Sequence, residues 1–565
     1  MKRLTTRSVL FALAFVLLGT VVGAQLQASL SSNDAIEQFK KMKRSFLLIS
    51  GKYVDQVSAK RLAEGGVQGM LNQLDPHSTY YPPKEVDRKR NKMRGAFGGV
   101  GIRFDVLNDT ALVVSPIDGG PSQKAGIRAG DRIVKIEGAS AVGLSNTTIR
   151  KRLTGQKGTE VSFTIFRPLT EKRRTFTIRR GEIPLHTINS AYMIDDRTGY
   201  LKIDRFAQST HNEFLKHVDN LRNEGMERLV LDLRGNGGGV MQPAIDIADE
   251  MLGRPGNTIV KTKGRTPTAN QTWRTQKGGV LKEAPITLLV NGTTASSSEV
   301  LAGALQDHDR ALLVGQRTFG KGLVQKPFSL DGGGMLSLTI GAYYTPVGRF
   351  IQTPYKNGNQ DAYYEKKLNQ REASIYDVRE YKASIPDSLT YRTEHGRMVF
   401  GGGGILPDYV VQPDTASLVG FLRQRELDQL FKFFASEWFS KRDQELRNTW
   451  QNRKTEFYSS YRVPDQAVSR FWSYAEEKKV LTLTSSPDAV DPGQHVFSKA
   501  QTQDARRVVR THLHGQLANV LFGDGSGQSA LNQVDPTVQK ALSLWPSSQE
   551  LASYHTDTSS DQHDE

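Results

Sequence analysis

The chain has 565 residues, of which 37% are hydrophobic, and a mean hydropathy of −0.47. That suits three or four soluble domains with real cores and excludes a polytopic membrane protein. The formal charge of +16 is spread thinly, since the basic run at 84–94 contains Glu85 and Asp87 and no nucleic-acid motif accompanies it. The absence of cysteine excludes disulfides, thiolate metal sites and a lipid-modified cysteine.

In chain order, Met1-Lys2-Arg3-Leu4-Thr5-Thr6-Arg7 is a basic leader, 9–22 is an apolar run, and Val22-Gly23-Ala24 supplies small residues for cleavage. Residues 1–24 thus read as a signal peptide, with cleavage favoured over anchoring and export to the periplasm or cell envelope expected. Residues 25–95 carry helical periodicity, with Phe39, Met42, Phe46, Leu47 and Ile49 near one face. An Asp75-Pro76 turn and the pair Pro82-Pro83 interrupt it. Residues 96–182 read as short strands with a helical turn closed by Gly126 and a second glycine turn at Gly130-Asp131. Strands and helices then alternate across 183–412, which predicts an α/β layer with a parallel or mixed sheet. A polar, tyrosine-rich insertion at about 356–397 is expected to pack on its surface. Apolar periodicity predicts a helical C-terminal domain over 413–546, and 547–565 reads as a disordered tail.

Two segments of the α/β region carry chemistry. Asn291-Gly292-Thr293-Thr294-Ala295-Ser296-Ser297-Ser298-Glu299 joins a buried strand to a helix. Ser296 and Glu299 have capping-box spacing, so a plain helix cap is one reading. The other is a nucleophile whose developing oxyanion sits among helix N-terminal N–H groups. Spacing alone does not separate Ser296 from Ser297 or Ser298. Downstream, Lys321 stands between Gly320 and Gly322 with apolar flanks. To act as a base it must lose about three units from its usual pKa of about 10.4, roughly 4 kcal/mol, which desolvation can supply. Asp232-Leu233-Arg234-Gly235-Asn236-Gly237-Gly238-Gly239 ends a buried strand, where α/β sheets place their sites. It lacks the Gly-Lys-Ser/Thr ending of a phosphate loop. His308 could serve a Ser-His-Asp arrangement, but it falls beyond the far end of the helix and no Gly-x-Ser-x-Gly elbow surrounds Ser296. No metal-ligand cluster is present, and neither metal nor cofactor is expected.

Together these segments resemble the carboxyl-terminal processing peptidases, serine proteases of family S41 with a Ser–Lys dyad and a PDZ domain. The resemblance spans about 71–411. It rests on Leu74-Asp75-Pro76-His77-Ser78, Ala125-Gly126-Ile127-x-x-Gly130-Asp131, the Asp232–Gly239 run and Thr318-Phe319-Gly320-Lys321-Gly322-x-Val324-Gln325. Tyr344-Thr345-Pro346-x-Gly348-Arg349 and Gly404-Ile405-x-Pro407-Asp408 close it. The chain departs from the family pattern at Thr294 and Ser297. The resemblance implies a multidomain α+β protein: a ClpP/crotonase-like α/β protease core with an inserted PDZ-like domain, an N-terminal helical segment and a helical C-terminal domain. It implies Ser296 as nucleophile, Lys321 as base and Gln325 as its support, with Ser297 and Gly237 or Gly238 forming the oxyanion hole. Gly99-Val100-Gly101-Ile102 would bind a substrate carboxylate. Expected partners are proteins or peptides with apolar C-termini, with room for membrane-surface association and a homo-oligomer, and no nucleic acid. The competing reading is a non-catalytic PDZ adaptor built on a protease-like core.

Overall fold

A computed structural model describes residues 33–556 except 108, 118, 277–278, 373–381, 413, 415–416, 425–426, 441, 485–494 and 524. The leader at 1–24 lies outside the described residues. Helix α1 (Asn33–Lys52) precedes α2 (Ala59–Leu71), which is capped by Ser58. The apolar stripe expected on α1 is not covered: Phe39 is 65% exposed and Leu47 59%. Asp75 turns the chain sharply by accepting the N–H groups of His77 and Ser78 and the Ser78 hydroxyl. Strand β1 (Thr79–Tyr81) and helix α3 (Pro83–Arg94) follow, and Gly95, at φ 82°, stops α3.

Strand β2 (Ala96–Gly99) pairs with β9 (Gly181–Pro184) and so ties together the two ends of a small β module. Between them run β3 (Ile102–Leu107), β4 (Thr110–Pro116), β5 (Arg132–Ile136), β6 (Ala139–Ser140), β7 (Glu160–Arg167) and β8 (Lys172–Arg179). The main sheet order is β3-β4-β5-β7-β8, which leaves β3 at an edge. Helix α4 (Asn146–Leu153) closes a core of Val113, Ile133, Ile136, Ile149, Phe163 and Ile165. Asp131 of the glycine turn is buried in a two-pronged ion pair with Arg167, at 2.7 and 2.8 Å.

The next unit alternates as expected. In chain order it contains β10 (Ile188–Met193), β11 (Thr198–Ile203), α5 (Thr210–Asn223), β12 (Arg228–Asp232), α6 (Met241–Leu252), β13 (Thr258–Lys263) and β14 (Gln271–Arg274). Then come β15 (Ile286–Val290), α7 (Ser297–Asp307), β16 (Leu312–Gly315), β17 (Leu323–Ser329), β18 (Met335–Tyr344), α8 (Gln360–Glu372) and β19 (Tyr409–Val410). Strands β10-β11-β12-β15-β16-β19 form one sheet, parallel from β11 onward. Alternate residues go to opposite faces. Leu229, Leu231 and Leu288 therefore meet α5, α6 and α7, while Tyr200, Val230 and Leu289 face the other way. A second, antiparallel sheet joins β1, β18, β13 and β14, with β17 also on β18.

The C-terminal region is helical, with α9 (Asp428–Ser440), α10 (Asp465–Glu477) and α11 (Gln501–Phe522) sharing an aromatic core around Phe431, Phe471 and Phe457. Helices α12 (Pro536–Leu542) and α13 (Trp545–Thr556) leave that core and cover the second face of the parallel sheet with Val538, Ala541, Leu544, Trp545 and Leu551. This corrects the expected disorder over 547–556, while 557–565 lie outside the described residues. The segment is helical to Thr556, because a few apolar residues among polar ones suffice when a sheet face is there to receive them.

Candidate active site

Strand β15 delivers its C-terminus to a six-residue turn, and α7 starts at Ser297. Ser296, between them, has φ 59° and ψ −119°. A non-glycine residue there is strained, at a cost of about 1–3 kcal/mol, and such strain collects at functional sites. The strained strand–turn–helix geometry of a nucleophile elbow is thus present without the Gly-x-Ser-x-Gly sequence that signals one. Gly238 makes room for it: a Cβ on Gly238 would lie 2.8 Å from the Ser296 Cβ and 2.7 Å from the Ala295 carbonyl.

Glu299 holds the turn in place. Its fully buried carboxylate accepts the Ser296 N–H at 2.9 Å, which is the glutamate half of a capping box. It also accepts the N–H of Gly320 at 2.6 Å, the N–H of Lys321 at 2.8 Å and the Thr318 hydroxyl at 2.5 Å. Burial raises its pKa and these four donors pull it back. One side chain therefore fixes the backbones of both Ser296 and Lys321. Sequence reasoning took Glu299 only as a cap, since nothing in the spacing announces the contact with 318–321.

The Ser296 hydroxyl is turned to the Tyr343 hydroxyl on β18, 3.3 Å away. Tyr343 was missed, and no local signal marks it. Among the described residues no hydrogen bond joins Ser296 Oγ to Lys321. Burial lowers the Lys321 pKa, helped by Lys89, against Glu299 and Asp75. Gln325, expected beside Lys321, instead donates its amide to Thr339 Oγ1 at 3.1 Å, and Thr339 Oγ1 donates to Asp75 at 2.9 Å. The Asp75 turn thereby reaches the edge of the site and brings His77, whose ring stands against Phe319 and Tyr363.

The glycine run lies beside this turn. Asn236 accepts the Ala295 N–H at 3.0 Å and the Ser298 hydroxyl at 3.1 Å through its carbonyl. Ser298 is thus committed to structure, and the Ser297 hydroxyl donates to the Gly239 carbonyl. Of the three serines, Ser297 and Ser298 thus bond backbone carbonyls, whereas Ser296 faces the Tyr343 side chain. The Gly238 N–H is occupied by Asn236 Oδ1 at 2.9 Å. Among the described residues the N–H groups of Ser297 and Gly237 have no acceptor. His308 bonds the Thr258 carbonyl at 2.7 Å, away from Ser296. Among the described residues no acidic, histidine or cysteine cluster could hold a metal ion.

The sequence matches three family patterns: the activating protease CtpB N-terminal domain over residues 20–84, a PDZ domain over 98–179 and peptidase family S41 over 197–358. It is 35% identical over 353 residues to a carboxy-terminal-processing protease of Bartonella bacilliformis, covering 61% of this chain and 80% of that one. It is 32% identical over 335 residues to carboxy-terminal processing protease CtpB of Bacillus subtilis, covering 58% and 68%. Among solved structures, a photosystem II D1 C-terminal processing protease matches at 26% identity and a TM-score of 0.32, over 55% of this chain and 83% of that one. With four-fifths of one relative's length aligned, and with the PDZ and peptidase patterns on the two units seen in the structure, the chain belongs to the carboxy-terminal-processing proteases, serine-type peptidases of family S41.

Proposed function

We propose that the chain cleaves C-terminal segments of exported proteins through a Ser296–Lys321 dyad. The observation that carries the reading is the shared carboxylate of Glu299, which pins a strained serine at a helix N-terminus to the backbone of a lysine whose charge is disfavoured by burial. Neutral Lys321 takes the proton from Ser296 Oγ as it attacks the peptide carbonyl. It returns that proton to the amine as the C–N bond breaks and the C-terminal piece leaves. Water, deprotonated by the same lysine, then hydrolyses the acyl ester, and the proton returns to Ser296. The unengaged N–H groups of Ser297 and Gly237 suit the oxyanion better than that of Gly238. The Ser296–Tyr343 contact is a resting arrangement, so rotation of the serine hydroxyl and of the Lys321 side chain completes the dyad. With its amide N–H on Thr339, Gln325 keeps its amide oxygen as the acceptor that would support the Lys321 amine.

The free edge of β3, entered from Gly99-Val100-Gly101-Ile102, suits an incoming peptide added as a further strand with its terminal carboxylate in that turn. Export rests on the sequence of the leader alone, and cell fractionation tests it. For the dyad, Ser296→Ala and Lys321→Ala should each lower cleavage of a peptide with an apolar C-terminus by about 10³-fold or more. Undiminished cleavage by either variant would sink the mechanism. Labelling of Ser296 by an acylating probe separates this reading from a non-catalytic adaptor, which would stay unlabelled.

A further inference from the structure

Arg234 precedes Asn236 and Gly237 on the glycine run, and its guanidinium turns back beneath the sheet. There Nη2 donates to Asp232 at 2.8 Å and Nε donates at 3.1 Å. The same Asp232 carboxylate accepts the Tyr200 hydroxyl at 2.7 Å. The remaining arm, Nη1, donates at 2.7 Å to Asp535, which is 301 residues further along the chain. Asp535 belongs to the helical C-terminal region and is the N-cap of α12. Its other oxygen accepts the N–H groups of Thr537 and Val538, at 2.8 and 3.2 Å. A single carboxylate thus holds both a helix of one unit and an arginine of another. Asp232 is fully buried, whereas the Arg234 and Asp535 side chains are 16% and 22% exposed, so the link to Asp535 is partly shielded from water.

The glycine run on either side of Arg234 is stitched to the serine turn. The Gly235 N–H donates to Asn291 Oδ1 at 3.1 Å, and the Thr294 hydroxyl donates to the Leu233 carbonyl at 2.9 Å. The Asn236 carbonyl adds its bonds from Ala295 and Ser298. A shift at the root of this run large enough to break one of these bonds would change the position of Gly237 relative to Ser296.

We propose that Asp535 is a positioning residue for proteolysis: its charge fixes Arg234 and, through it, the run that presents the Gly237 N–H, which makes the C-terminal helices a working part of the active site. The proposal deepens the acyl-transfer reading and rests on it for the role of Gly237. The test separates two functions of one side chain. Asparagine is as good an N-cap as aspartate, whereas glutamate keeps the charge and caps less well. Asp535→Asn should keep α12 and the melting temperature but lower kcat, and the rate of Ser296 labelling by a fluorophosphonate, about ten-fold, with KM unchanged. Asp535→Glu should restore most of the rate. A wild-type rate in Asp535→Asn would overturn the proposal. So would equal losses in the Asn and Glu variants that track a fall in melting temperature, since that marks a purely structural role. Asp535→Ser, which also caps, replaces the Asn variant if that variant does not fold. Ser296→Ala is run alongside: its inactivity with a normal rate in Asp535→Asn rejects the positioning role alone, whereas activity in Ser296→Ala rejects the dyad itself.

Discussion

At Lys321 opposing influences meet. Burial and the nearby Lys89 disfavour its ammonium form, Glu299 and Asp75 favour it, and the net shift is downward. Because the base must be neutral, acylation should speed up as pH rises through this lowered pKa and level off above it. Measured as kcat/KM against pH, the rise should move to lower pH when Glu299→Gln removes the opposing charge, whatever the variant's overall loss of rate. A profile flat from pH 6 to 10 would exclude a lysine base. Ser296 and Lys321 were legible in the sequence because each stands in an ordered set of short motifs. Tyr343 was not, since its contact with Ser296 joins residues 47 positions apart. Glu299 was half legible: capping is a local matter that spacing reveals, whereas its bonds to 318–321 are made by tertiary folding.

Helix α8 was expected as a surface packing element, and its tyrosines and charges pointed that way. Its contact face buries Lys367, which donates to the Phe319 carbonyl and the Thr353 hydroxyl and lies 4.9 Å from the centre of the Phe319 ring. Phe319 in turn donates its N–H to the Thr294 carbonyl at 2.9 Å, beside the nucleophile turn. The helix thus braces the segment that carries Lys321. Replacing Lys367 with Met keeps the aliphatic stem and removes both donors. A peptide-cleavage assay should then show kcat reduced by up to about thirty-fold with the PDZ-like module's peptide affinity intact, a loss of about 2 kcal/mol for two hydrogen bonds at about 1 kcal/mol each. Nothing in the sequence signals this bracing contact, because a lysine with a long apolar stem can pack inward while its ammonium group finds partners there.

Over the whole molecule the helical C-terminal region is the part the sequence conveyed least. Its periodicity announced helices, but not that α12 and α13 leave their own core to cover the protease sheet. That arrangement is encoded only in Val230, Leu289, Leu312 and Val314 facing away from α5–α7, an outward apolar set that needs a cover. Four histidines across these units are buried (His512) or half-buried (His77, His514 and His555). Burial lowers His77, His512, His514 and His555 from 6.5 to about 4. The unfolded chain binds their protons first as pH falls. Their stabilising effect is therefore complete above pH 6.5 and is lost progressively toward pH 4. Thermal denaturation should show a melting temperature that drops steeply between pH 6.5 and 4. Replacing His512, which stacks on Phe431 at 4.5 Å, with Phe should flatten that drop. An unchanged slope would exclude His512 as a source of acid sensitivity.

The carboxylate of Glu299 has a dynamic consequence. Because it grips the backbones of both Ser296 and Lys321, the proposed nucleophile and base cannot drift apart by loop motion unless a buried carboxylate loses its donors. Switching between the resting and reactive arrangements is then confined to side-chain rotation, which takes picoseconds to nanoseconds where side chains are free to turn. The slow step of a turnover would then be something other than this rearrangement, leaving the chemistry itself or the exchange of peptide pieces to set the rate.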